Sequence, residues 1–237
     1  MEAKFDNRQA RSEATRASLM RAAEKLIAEK GIEGVTIRLI LAEADQKNTS
    51  ALQYHFKNLK GLIEAIHAER AEEVQEARGR LLQDLLTRTE NPSLRELCEL
   101  MIGPPVELAR SRIDFRRYIK AFGHQLALLE TSALAHASRQ GGGGSSGLQL
   151  RALLREKLKH LDDDAFRRRM EAAVRFCATS VYHQARQPNA FRGKQGDLFL
   201  ASLLDALAGL LGAPESEETK TIAAAAKQAN QRKTKKS

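Results

Sequence analysis

The stretch "TIRLILAEADQKNTSALQYHF", residues 36–56, sets two short apolar repeats of helical spacing on either side of four polar residues. Each repeat is about two turns long, too short to persist alone in water, so both must be held by packing on other elements. A connection this short does not lay two helices side by side and makes them cross steeply. Before them, Leu19, Ala22, Ala23, Leu26 and Ile27 fall at helical spacing, with Gly31 placed to stop that helix. Thr36 is placed to cap the second helix. After the third, a start at Asn58 leads into "LKGLIEAIHAERAEEVQEARGRLLQDLLTR", which predicts one unbroken helix over residues 59–88.

Helical spacing continues almost to the end, and strand alternation is nearly absent, so the chain is expected to be all-α. "NPSLRELCELMI" restarts a helix with Pro92 or Ser93 at its first turn, and "GPP" is expected to stop it, because Pro104 and Pro105 cannot continue a helix interior. Residues 140–147, "QGGGGSSG", read as a flexible loop, since four consecutive glycines lose too much entropy on ordering; the composition is equally that of a laboratory linker. The segment 213–237 has no strong apolar face and is expected to be a basic, disordered tail.

The net charge is +9 over 237 residues. It sits toward the ends: residues 1–60 carry 11 Lys and Arg against 8 Asp and Glu, and the tail from Ala213 carries 6 against 3. This favours an anionic partner, nucleic acid before an acidic membrane surface. No apolar run approaches a membrane span and the first 16 residues lack an apolar core, so neither a membrane partner nor a secretory leader is expected. Cys98 and Cys177 stand in apolar helical patterns and read as buried reduced thiols of a cytoplasmic protein.

Three short helices followed by a long one form the helix-turn-helix arrangement, whose second member lies in a DNA major groove. Here that member offers Lys47, Asn48, Thr49, Ser50 and Gln53, a surface of amides, hydroxyls and an ammonium suited to base edges and phosphates, while Ala51 and Leu52 pack inward. Tyr54 and His55 stand at its end within reach of phosphate oxygens. Lys60 opens the next helix, where its charge and nearby amides can both meet a phosphate. Thr36 and Arg38, at the start of the preceding helix, complete the expected DNA-contacting set.

With its "AAEKLIAEKG", "TIRLILAEA" and "YHF" segments and a lysine four residues after Phe56, the region 15–66 resembles the DNA-binding domain of TetR-type transcriptional regulators. It departs from that pattern at Leu41, usually a small residue, at Asp45 and Gln46, where "Gly-Val" is usual, and by one extra residue between Asp45 and Phe56. Asp at a left-handed turn position is tolerated better than most residues, and the longer turn shifts which side chains of Lys47–Gln53 meet the groove. The resemblance implies a helix-turn-helix domain at 12–72, joined by a long helix to an all-helical ligand-binding and dimerisation domain at 73–212. It also implies double-stranded DNA with a pseudo-palindromic operator as partner, a homodimer, repression released by a small effector, and a bacterial cytoplasmic location.

Candidates for an effector pocket are Met101, Phe115, Tyr118, Phe122, His124, Phe176, Tyr182 and His183, whose faces carry few charges and suit an apolar or aromatic effector. Two apolar stripes, with Phe166, Met170, Cys177 and Val181 on one and Leu200, Leu203, Leu204, Leu207 and Leu211 on the other, are expected at the dimer interface. No catalytic constellation is present. The six histidines include no i, i+4 pair and no HExxH, and no phosphate loop lies between strand and helix, so neither enzyme, metal site nor cofactor is expected. Two other readings stay open: a nucleic-acid binder without operator preference, and an all-helical small-molecule binding protein.

Overall fold

A computed structural model of the chain describes residues 2–46, 48, 50–125, 130–137 and 144–234. Among these there is no strand, and eleven α-helices follow one another. Helix α1 (Glu2–Lys30) stops where Gly31 takes φ 74°, its amide still donating to the Ile27 carbonyl at 2.9 Å. Thr36 caps α2 (Ile37–Glu43), its side chain accepting from the Leu39 amide at 3.3 Å. Helix α3 (Ser50–Phe56) and the long α4 (Leu59–Arg88) follow, α4 with the bounds the sequence predicts.

Two hydrophobic clusters organise the molecule. The first, the headpiece core, takes Leu19, Ala23 and Ile27 from α1, Ile40 and Leu41 from α2, Leu52 and Phe56 from α3, and Leu62 and Ile66 from the first half of α4. The second, the body core, gathers the far half of α4 with α5 (Leu94–Ser111), α8 (Ser145–Lys157), α9 (Asp163–Ala185) and α10 (Gly193–Gly212). Between them, α6 (Ile113–Phe122) serves both: Phe115 and Ile119 belong to the body core, Ala121 and Phe122 to the headpiece core, and Tyr118 packs against each. The short α7 (Ala133–Ala137) is pinned to α9 by Glu171, whose carboxylate accepts from the Ala133 amide at 2.9 Å.

The structure overturns several expectations. Helix α5 runs through Pro104 and Pro105 instead of stopping there. A proline at 104 deprives the Leu100 carbonyl of its helical donor, and the buried Arg78 of α4 supplies a donor instead, Nε to oxygen at 3.2 Å. Of the Gly-rich stretch 140–147, residues 140–143 lie outside the described residues, whereas Ser145, Ser146 and Gly147 form the first turn of α8. There Ser146 is buried and its hydroxyl donates to the Gln75 carbonyl at 3.1 Å. Where a disordered tail was expected, α11 covers Glu217–Thr234, an Ala-rich, strongly helix-forming run that is exposed over residues 217–229 except at the partly covered Ala223. Finally, α10 is long and apolar enough, by length and composition, to cross a membrane, yet only 28% of it is buried.

Candidate nucleic-acid interface

The bend between α2 and α3 is built by backbone geometry. Asp45 takes φ 52°, the left-handed conformation expected of a glycine in this place. Around it the Gln46 amide donates to the Leu41 carbonyl at 2.8 Å and the Asp45 amide to the Ala42 carbonyl at 3.2 Å. This pair of bonds closes the end of α2 with a Schellman motif, which turns the chain sharply and leaves Leu41, Ala44 and Leu52 buried on its inner side.

On the far side of the bend, Asn48 accepts from the Ser50 amide through its side-chain oxygen at 2.9 Å. That bond starts α3, and Asn48 is exposed. Lys47 and Thr49 lie outside the described residues. Ser50, Gln53 and Tyr54 are one helical face apart from the buried Leu52 and Phe56, and all three are exposed, Tyr54 by 80%. His55 is half-covered, with its ring edge against Tyr54 at 5.0 Å. Burial and the neighbouring Arg16 lower its pKa.

The corner that follows fixes Lys60 relative to Tyr54. Lys57 takes φ 65°, and Asn58 caps α4 by accepting from the Gly61 amide at 2.9 Å. Gly61 lies so close to the end of α3 that a Cβ there would run into the Phe56 carbonyl oxygen. The Lys60 side chain is 85% exposed, with only a 3.8 Å approach to Glu64. Thr36 and Arg38, at the start of α2, are exposed as well. Gly61 escaped the sequence reading; the glycine in the first turn of a helix that begins two residues after an aromatic triplet was its signal.

Residues 19–66 match the family of bacterial regulatory proteins, tetR family. The chain carries a TetR-family DNA-binding domain. Among solved structures, RolR in complex with its ligand resorcinol is similar at 18% identity, with a TM-score of 0.48 over 88% of this chain and 98% of that one. No curated protein matches the chain. The chain joins this matched helix-turn-helix headpiece to an all-helical body.

In that body, the expected effector-pocket residues separate into two groups. Phe115 and Phe122 are buried, Phe115 beneath the Arg70 guanidinium at 5.8 Å, and the Tyr118 hydroxyl is 3.0 Å from Nδ1 of His67. These three rings pack in the seam of α6 with α4 and α1. His183 is exposed on the outside of α9. Met101, Phe176, Tyr182 and His124 are half-buried, the last two with rings 5.3 Å apart.

The expected dimer residues lie mostly inside the protomer. Phe166, Met170, Cys177, Val181, Leu203, Leu204, Leu207 and Leu211 are all buried within one protomer, filling its own core. Among the predicted set only Leu200 is half-exposed, and Leu198, 59% exposed, is the large apolar side chain that α10 turns outward. The free thiols of Cys98 and Cys177 are buried, and burial pushes both up to about 12, which leaves them protonated and unreactive.

Proposed function

We propose that the protein is a homodimeric, ligand-responsive repressor that binds a pseudo-palindromic operator in a bacterial cytoplasm. The observation that carries this reading is the outer face of α3. Its polar side chains are all turned away from a buried bend, with Tyr54 and Lys60 set at its end by the Gly61 corner. In this reading Ser50 and Gln53, with Lys47, Asn48 and Thr49, read base edges, while Thr36, Arg38, Tyr54, His55 and Lys60 hold phosphates. The headpiece spans 12–72 and the body 73–212.

The dimer contact is assigned to the outer edge of α10, where Leu198 is 59% exposed and Leu200 half-exposed while Leu203, Leu204, Leu207 and Leu211 fill the protomer's own core. A two-fold axis beside Leu198 and Leu200 would set two α3 helices about one DNA turn, 34–36 Å, apart. The effector, apolar or aromatic, enters beside Met101, Phe176, Tyr182 and His124. It releases DNA by binding better to a headpiece spacing unlike the DNA-bound one.

Selection of bound duplexes from a random-sequence pool tests the reading. An enriched site with two-fold symmetry is the expected result. Retention of all sequences equally would favour a general nucleic-acid binder, and no retention at low salt an all-helical small-molecule binder.

A further inference from the structure

Charged groups are buried only at a large desolvation cost, which is recovered when every polar atom finds a partner in good geometry. The seam between headpiece and body contains such a group. Arg70, on α4, is 5% exposed. Its Nε and Nη2 donate to the two carboxylate oxygens of Glu24 on α1, each at 2.8 Å. Its Nη1 donates to Glu73, one turn along α4, at 3.1 and 3.0 Å, and stands 3.1 Å from the Asp114 carboxylate in the first turn of α6. Arg112, at the corner between α5 and α6, closes the cluster: it reaches Glu73 at 2.8 Å and Asp114 at 2.5 Å.

Three carboxylates and two guanidinium groups thus meet at one point, drawn from α1, α4 and the α5–α6 corner. Glu24 is 3% exposed and belongs to the headpiece, whereas Asp114 belongs to the body. Burial alone would raise the Asp114 carboxyl, but Arg112 and Arg70 hold it down at about 2, so the body-side partner is charged at neutral pH. One and two turns further along α6 it meets α4 again through rings: Tyr118 against His67, and the Phe122 ring 4.7 Å from that of His67.

Apolar contacts slide at small cost, because many packings are nearly equal. A bidentate guanidinium–carboxylate fork has one geometry, and shifting one partner strands a charge in a dry seam. We propose that Arg70 is a shared ion joint that ties α1 of the headpiece and α6 of the body to one point on α4. A displacement of the first turn of α6 is then handed to α1 as a change of headpiece attitude. Arg70 acts as a positioning residue, remote from the groove. The proposal concerns how the body governs the headpiece, and its DNA arm rests on the DNA-binding reading above.

The test uses the full chain and Glu24→Gln, Asp114→Asn and the double variant, all near-isosteric. Because Arg70→Met alone strands the Glu24 carboxylate, Glu24→Leu combined with Arg70→Met serves as the apolar replacement that preserves packing, with Arg112 still holding Glu73 and Asp114. Calorimetry comes first: the wild type is expected to unfold in one transition, and the apolar replacement to split it into separate headpiece and body transitions. Affinity comes second, for a duplex enriched from random sequence by the wild-type protein. The Glu24→Gln and Asp114→Asn effects on Kd should be non-multiplicative by at least about fivefold. Asp114→Asn with Asp205→Asn, which removes the exposed Arg95–Asp205 pair, should simply multiply. A single shared transition in the apolar variant, with multiplicative effects on Kd, would overturn the joint. If the wild type enriches no duplex, the DNA-binding reading fails, and calorimetry alone decides for or against the joint.

Discussion

The Nε of Arg78 donates to the Leu100 carbonyl at 3.2 Å, across two helices and 22 positions of sequence. Leu100 is four residues before Pro104, so its carbonyl is the one that a proline in an α-helix abandons. The guanidinium replaces from outside the donor that Pro104 removes from the middle of an 18-residue helix. Replacing Arg78 by Met is expected to lower stability by about 1–3 kcal/mol, the range for a buried polar group left unsatisfied. Adding Pro104→Ala should restore part of that loss by returning an amide donor. Urea titration of the three variants checks it; equal losses with and without Pro104 would show that Arg78 acts through its other contacts alone.

The left-handed backbone of Asp45 leads to the second prediction. Glycine adopts that conformation freely and other residues at about 1–2 kcal/mol, less for Asp. Asp45→Gly should therefore raise the headpiece's stability by roughly 0.5–1 kcal/mol, and Asp45→Val should lower it by more than the glycine gains. Amide exchange in α2 and α3 would resolve the effect, and a destabilised glycine variant would contradict the assigned turn.

Gly61 is expected to admit no side chain. An alanine there must push the first turn of α4 away from the Phe56 carbonyl, at a cost of roughly 1–3 kcal/mol. The displacement also moves Lys60 relative to Tyr54. Gly61→Ala should weaken DNA binding beyond what its stability loss explains, measured at a temperature where the variant is fully folded by circular dichroism.

How much of this was legible in the sequence depended on distance along the chain. Gly31, Thr36 and the ends of α4 announce themselves within a few residues, because capping and helix periodicity are local. The prolines of α5 misled because their compensation comes from Arg78, which no window around residue 104 contains. The leucines of α10 set a different limit: periodicity locates an apolar face and says nothing about whether the same protomer or a second one covers it. Phe115 and Phe122 read as pocket rings for want of their neighbours on α1 and α4. The Glu24, Arg70 and Asp114 cluster left no trace, since each residue alone looks like an ordinary surface charge.

Lys60→Ala should weaken binding to all duplexes similarly and reduce the slope of log K against log salt by about 1, as expected when one phosphate contact is lost. Gln53→Ala should instead relax preference at one base-pair position, with the salt slope retained. Fluorescence anisotropy at several salt concentrations separates the two; an unchanged slope in the lysine variant would remove Lys60 from the phosphate set.

Acid titration addresses Asp114. Its folded-state pKa of about 2 lies below the ordinary 3.8, so its ion pairs contribute stability that is fully present above the ordinary value and is lost as pH falls through the folded one. Asp114→Asn should therefore destabilise the protein at pH 5 and 7 alike, and the gap from wild type should narrow between pH 4 and 2. A gap that stays constant across that window would mean the carboxylate is not the charged partner of Arg112 and Arg70.

Phe122 and Ala121 complete the headpiece core from a point well beyond the end of the matched segment. During synthesis, residues 19–66 leave the ribosome long before the ring that closes their core exists. Domains usually consolidate as they emerge, but this one must wait, part-finished, for α6. The headpiece therefore reaches its full packing only in a chain that already carries α6.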